Sequence, residues 1–558
     1  MYNDLTLIVP IIIFQIFALS RISKRREALS MASRSYGLVR NNKLIADFMA
    51  YEHELSSEDE VDPVSMKGFK YLVKGEEKEQ VKMVPPHNQN QLQLTGKAIT
   101  IEMIWQCKGR LLSSTGDPDG RLKDICLSYA LYRLLCRRFT GYPFSESSNV
   151  KTWKFVRNGL LSNEDDHERA FRVIEVELAF VYDLFYTKYA AIFSNKGFFQ
   201  LRSIQFIIVI VGCVTMVPIL TNYHTPKNDL NRLIVGGHNV DVLVTCIGVV
   251  VILFMDLVQY FVLSFSDWDK VQWLCCWYVK KPSWQNNKCM EKIIQIVCHR
   301  KWLKLWGGNL GQYSLLESYN YNPSRLLYNR CITSFVNKPR NGQTESNRIK
   351  LPLEVKKAII VSLKSPNGQR LKNGEASLQR NLIGNELSWA CKLETQTRVI
   401  MVWHLATNLC EIECKQDNLV MESKHFIMAN ALSKYCAYLV AFAPRFVLNG
   451  CNSATSKYEK MMKISAGAGK GDPGENIIKS YEALTLIKRG AVLAKHIREL
   501  SVDNVQRWEI LADFLAEMML FVTPSNDTTV HAEYLAKGGE FVTHLWALLS
   551  HATFLRKH

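Results

Sequence analysis

The sequence predicts a mainly α-helical integral membrane protein with about two to three transmembrane helices and helical cytosolic domains. Three observations lead there: an apolar hairpin in mid-chain, basic residues at one end of each apolar segment, and helix-spaced apolar stripes outside them. The hairpin joins Ser203–Thr221 to Val240–Phe265. Within it Ile204–Leu220 carries no charge over 17 residues, and Val242–Phe265 is broken only by Asp256. At the helical rise these stretches reach roughly 26 and 36 Å, against about 30 Å of hydrocarbon. Both are apolar all round, whereas a helix on a soluble surface shows one apolar stripe. A third segment, Leu5–Leu19, spans only about 22 Å. No positive charge precedes it within Met1–Asp4 and Arg21, Lys24, Arg25 and Arg26 follow it, the reverse of a secretory signal.

Basic residues mark cytoplasmic helix ends. Arg21–Arg26, then Lys196 and Arg202, then Lys270, Lys280 and Lys281 all place the same side inward. The expected layout is a short N-terminal transmembrane segment at 1–21, a cytosolic block at 22–202 and the transmembrane hairpin at 203–265. A juxtamembrane helical region at 266–337, a polar linker region at 338–384 and a C-terminal helical domain at 385–558 follow. The bulk of the chain is then cytosolic, on the plasma membrane or an endomembrane.

Lys and Arg outnumber Asp and Glu 69 to 52, a net charge of +17, with no nucleic-acid motif beside it. No nucleic-acid partner is predicted. Attraction to anionic cytoplasmic lipid accounts for the charge, with Lys280, Lys281, Arg300, Lys301 and Lys304 as the juxtamembrane patch. The 15 cysteines form no disulfide framework and are expected reduced and buried.

Among the soluble blocks, Glu54–Asp62 reads as a solvated acidic loop. Ala170–Phe193 reads as a helix, because Phe171, Ile174, Leu178, Val181 and Phe185 recur at spacings of 3 and 4. Ser465–Glu475 reads as a flexible connector. Glu509, Asp513 and Glu517 recur every fourth residue and read as a solvated helix face.

Several strings carry a resemblance. WQCKGRLLSSTGDPDGRLKDICLSYALYRLLCRRFTG within Thr100–Gly141, RAFRVIEVELAFVYDLFYTK at Arg169–Lys188, SDWDKVQWLC at Ser266–Cys275 and GQYSLLES at Gly311–Ser318 resemble a plant membrane-protein family, domain of unknown function 4220. WHLATNLCE at Trp403–Glu411, LSKYCAYLVAFAPRFVL at Leu432–Leu448, WEILADFLAEMMLFV at Trp508–Val522 and HAEYLAKGGEFVTHLWALLSHA at His531–Ala552 resemble its companion, domain of unknown function 594. The resemblance implies a plant membrane protein with no established activity or catalytic residue. It also implies further membrane helices upstream, so the chain reads as N-terminally short.

Few groups suggest chemistry. Asp256 lies roughly 14 Å in from the inner helix end, where an acid costs about 2.5–3.5 kcal/mol and takes a partner or a cavity. It fits an ion path or a helix-packing acid. Asp241 reads as a helix-start cap. Glu540, His544 and His551 share one helix face and form a metal candidate, although the two histidines stand about 10 Å apart. Glu540 also reads as a first-turn acid after Gly538 and Gly539. His404, Cys410, Cys414 and His425 form a second metal candidate, set against simple burial. Cys275 and Cys276 are candidates for palmitoylation. Gly467–Gly471 lacks the glycine and the hydroxyl residue a phosphate loop needs. No catalytic residue and no cofactor is predicted, and the balance is against an enzyme. The sequence points first to a membrane-anchored scaffold with protein partners. The alternatives are a channel or transporter subunit using Asp256 and a membrane-bound metal-dependent enzyme.

Overall fold

The computed structural model describes residues 36–55, 61–75, 80–84, 89–93, 98–142, 150–162, 167–187, 189–194, 264–285, 287–299, 306–318, 321, 344–365, 371–414, 418–447 and 473–552, with scattered positions between 207 and 262. The described chain is mainly helical and forms two compact units. The larger comprises residues 1–68, 134–178 and 305–558; the smaller comprises 69–133 and 179–304.

The core of the larger unit is made of long helices buried on most sides. Gln396–Cys414 packs on Pro473–Glu499 and on Lys424–Phe442, which in turn packs on Asn504–Val522. Trp403 stacks on Phe514 with ring centroids 3.6 Å apart, and Phe426 meets Trp508 edge-on at 4.6 Å. Burying a side chain of this size contributes about 1.5–3 kcal/mol. Gly490 permits the closest helix approach: a Cβ there would lie 2.7 Å from Leu405 Cβ. The Phe541–His551 helix is buried at all 11 of its residues. Ser423 and Asp503 cap their helices by accepting from the Phe426 and Gln506 amides.

Two sequence expectations change in this unit. The 338–384 stretch holds regular structure. Ser346–Lys350 is a strand, antiparallel to Asn309–Gln312 with Leu310 opposite Ile349, and the helices Leu353–Lys364 and Glu375–Arg380 follow. The Ser346–Lys350 strand alternates poorly and is mostly exposed, so its composition resembles a linker. Glu517 is buried rather than solvated. Its carboxylate accepts from the Ser377 and Ala376 amides at 2.6 and 3.3 Å, at the start of the Glu375–Arg380 helix, where the orphan N–H groups and the dipole favour an anion. Glu509 is exposed and Asp513 half-buried, so the acidic row runs from water into the core.

In the smaller unit, Thr100 caps the Ile101–Trp105 helix. Asp117 accepts from the Leu122 amide at 2.8 Å, where the Arg121–Phe139 helix begins. An aromatic cluster of Tyr129, Tyr132, Phe180 and Trp268 fills the interior, with Phe180 and Trp268 perpendicular at 5.2 Å. The predicted stripe on 170–193 lies on the His167–Tyr186 helix, and Phe171, Ile174, Leu178, Val181 and Phe185 are all buried.

Within the hairpin, positions 207, 210, 211 and 214 and positions 244, 247, 251, 254, 258 and 261 are helical. The large apolar side chains described there, Ile207 to Val214 and Val244 to Phe261, are 39–65% exposed. Among the described residues no helix is long and apolar enough to cross a membrane. Leu5–Leu19, Asp241 and Asp256 lie outside the described residues, as does the connector up to residue 472; Pro473–Glu475 open a helix instead. Of the acidic stretch Glu54–Asp62, Glu54 ends the Tyr36–Leu55 helix and Asp62 accepts from the Val64 amide in a turn.

Candidate functional site

In the larger unit, Glu540 is the N-cap residue of the Phe541–His551 helix, yet its side chain does not cap it. The carboxylate accepts instead from the Tyr438 and Tyr435 hydroxyls at 3.0 and 3.2 Å. Tyr435 Oη also accepts from the Val542 amide, tying the helix start to the Lys424–Phe442 helix. Burial raises the Glu540 carboxyl above its ordinary range, partly offset by the two hydroxyls and by Arg348. His544 donates Nδ1–H to the Glu540 carbonyl at 2.9 Å, and its ring lies 4.0 Å from Trp306. Burial holds that imidazole neutral, with its pKa lowered to about 4.

His551 faces elsewhere. Its Nε2 sits 2.8 Å from Glu177 Oε1, both side chains buried. His404 makes a third network. Its Nε2 accepts from the Leu315 amide at 3.3 Å and lies 3.1 Å from Asn408 Nδ2, which fixes the proton on Nδ1, facing Ser433 Oγ. Burial drives its pKa down to about 3. Cys410 is buried with its thiol raised to about 12, Cys414 is half-buried, and His425 lies near the start of the Lys424–Phe442 helix.

The metal candidates therefore separate into structural contacts. Among the described residues no group of three His, Cys, Asp or Glu side chains is arranged to hold a metal ion. Sequence reasoning missed Glu177, although it falls on the buried stripe three residues after Ile174 and four before Val181. An acid on an apolar face is the signal that marks it. It also missed Arg138, which lies over Trp546 and donates to the Ser525 carbonyl at 2.9 Å.

One open feature of the unit is on the Pro473–Glu499 helix, among other exposed apolar positions such as Leu382, Leu419 and Val361. Trp389, Thr485, Lys488, Arg489, Val492 and His496 line a groove of about 420 Å³. Arg489 is held by Glu394, at 3.1 Å. Beside the groove, Leu484, Ile487 and Val492 are exposed on an arc shared with Lys488 and Lys495.

In the smaller unit residues 266–285 form a tight corner. Ser266 caps the Asp267–Gln272 helix, with Asp267 and Asp269 in its first turn. A π-helix, Trp273–Val279, follows. Trp268 donates its indole N–H to Asp183 at 2.9 Å and Trp273 donates to Asp269 at 3.1 Å. Burial pushes both carboxyls up to about 7. Cys275 is fully buried, which removes it as an acylation candidate; Cys276 is half-buried. Tyr278 Oη accepts from the Leu111 amide and donates to Glu291, each at 2.9 Å, and Gly109 leaves room for the ring.

No curated protein and no solved structure matches the chain. The family model "Domain of unknown function (DUF4220)" matches residues 1–319, and "Protein of unknown function, DUF594" matches 501–554. The first covers more than half of the 558 residues, so the chain belongs to the DUF4220 family and carries a DUF594 segment near its C-terminus.

Proposed function

We propose that this chain is a membrane-anchored scaffold whose larger helical unit binds protein partners. One observation carries the reading. The residues with chemical potential in that unit, His404, Glu540, His544 and His551, are bonded inside it. Of the Pro473–Glu499 helix, Leu484, Ile487 and Val492 are exposed together with Lys488 and Lys495. A surface of that kind recognises other proteins, and burial of an exposed Leu or Ile on binding contributes about 25 cal/mol per Å² of apolar area. Membrane attachment through 203–265 is supported by the exposed, helix-spaced apolar side chains between Ile207 and Phe261.

The test is proximity labelling in cells with the parent chain and a Leu484→Glu, Ile487→Glu variant. The expected result is a discrete set of neighbours lost from the variant while its membrane fractionation is unchanged. Identical neighbour sets for the two chains would sink the scaffold reading. Release of the parent chain into the soluble fraction at alkaline pH would sink the anchor.

A further inference from the structure

We propose that the Lys288–His299 helix lies in the interfacial plane of an anionic bilayer, as a second, shallow membrane contact beside the hairpin. This rests on the membrane reading above. The helix is amphipathic in an unusual sense, because its exposed side is itself divided. Ile294 and Cys298 point into the unit and are buried. On the outer side Ile293 and Ile296 are 40% and 52% exposed, and Cys289 is exposed with them. At about 100° per residue, Cys289, Ile293 and Ile296 fall within about 60° of arc, and Lys288 and Lys292 occupy the adjoining 40° or so. Both lysines are exposed. An apolar strip edged by lysines is the pattern of a helix that sinks about 5–10 Å to the headgroup boundary while its ammonium groups reach phosphate.

The surroundings match that placement. Trp277 and Trp284 stack at 5.0 Å, and Lys281 lies 4.2 Å over the Trp277 ring. Trp273 joins them at 6.3–6.4 Å. Half-buried tryptophans with lysine at their edge are what the membrane–water interface selects. The chain reaches this corner directly from the apolar hairpin, through Ser266 at the end of the exposed run to Phe261. The cationic edge selects anionic headgroups over neutral ones, at about five-fold in affinity per lysine.

The exposed thiol of Cys289 reports on the contact. The full chain would be placed in nanodiscs of phosphatidylcholine alone, or of equal parts phosphatidylcholine and phosphatidylserine. Alkylation of Cys289 by a neutral, water-soluble maleimide would then be followed by peptide mass spectrometry. Labelling is expected to be about ten-fold slower in the anionic discs. Ile293→Glu with Ile296→Glu should restore fast labelling there, although the lipid potential is unchanged. Lys288→Glu with Lys292→Glu should do the same. Equal rates in the two discs, or slow labelling that survives the isoleucine changes, would overturn the inference while leaving the anchor intact. A chain that enters neither disc overturns the membrane reading and the inference together.

Discussion

Two regions of this molecule look alike in sequence and differ in structure: the hairpin at 203–265 and the Phe541–His551 helix. Both are rich in apolar residues, yet the helix is buried at every residue while most of the hairpin's described large apolar side chains are exposed. The difference lies in the polar groups that each carries. The C-terminal helix holds Thr543, His544, Ser550 and His551, and each finds a partner in its own unit or on its own helix. The hairpin's described outer faces present only Val, Ile, Leu, Phe and Met among their large side chains. An apolar composition alone therefore does not decide whether a segment is buried by its own unit; the polar groups that find partners inside it do.

The largest effect should come from the buried helix. Trp546→Ala removes a side chain stacked on His531 at 4.0 Å and covered by Arg138, and should cost about 3–5 kcal/mol in denaturant unfolding. A loss under about 1 kcal/mol would mean the helix is not core. His551→Ala should cost a similar amount, about 3–5 kcal/mol, because Glu177 is left buried without its partner. Replacing both with leucine should recover most of that loss, and a double cycle that is additive would show the pair is not coupled.

A pH series separates the two units. His404 has its folded pKa at about 3, below the usual 6.5. The unfolded chain binds the extra proton, so the stability this ring contributes is full above 6.5 and is lost as pH falls toward 3. His404→Gln should flatten that acid loss, by about 1–2 kcal/mol near pH 5. Asp183 is raised to about 7 from 3.8, so its contribution is full below 3.8 and is lost as pH rises through about 7. Asp183→Asn should change the pH slope with the opposite sign. Slopes of the same sign in thermal unfolding would break the contrast. The smallest effect belongs to the hairpin: Phe254→Ala should shift unfolding by no more than about 0.5 kcal/mol, since the ring is 62% exposed.

Helical periodicity was legible in the buried stripe from Phe171 to Phe185 on the His167–Tyr186 helix. The caps Ser266, Ser423 and Asp503 are equally local, each accepting from an amide three residues on, although none of the three was read from the sequence. Long-range partners were not legible. Glu517 looked like one member of an exposed acidic row because the helix start it satisfies is about 140 residues away in the chain (|i−j| of 140 and 141). The Ser346–Lys350 strand pairs with Asn309–Gln312, and neither alternates cleanly enough to announce itself. The metal candidates failed to converge because helical spacing fixes direction on one helix and leaves open what stands opposite. For His551 that is Glu177, and for Glu540 it is a pair of tyrosines.

Gly490 sets how the outward face of the Pro473–Glu499 helix behaves. With Leu405 Cβ only 2.7 Å from where a side chain would begin, residue 490 works as a notch. Neither sliding by a turn nor rolling about the axis can bring a larger residue into that place. The helix is keyed in both phase and register, so Leu484 and Ile487 are presented in one fixed orientation. On the scaffold reading proposed above, a partner would meet a helix face already ordered by folding, which lowers the ordering cost of contact.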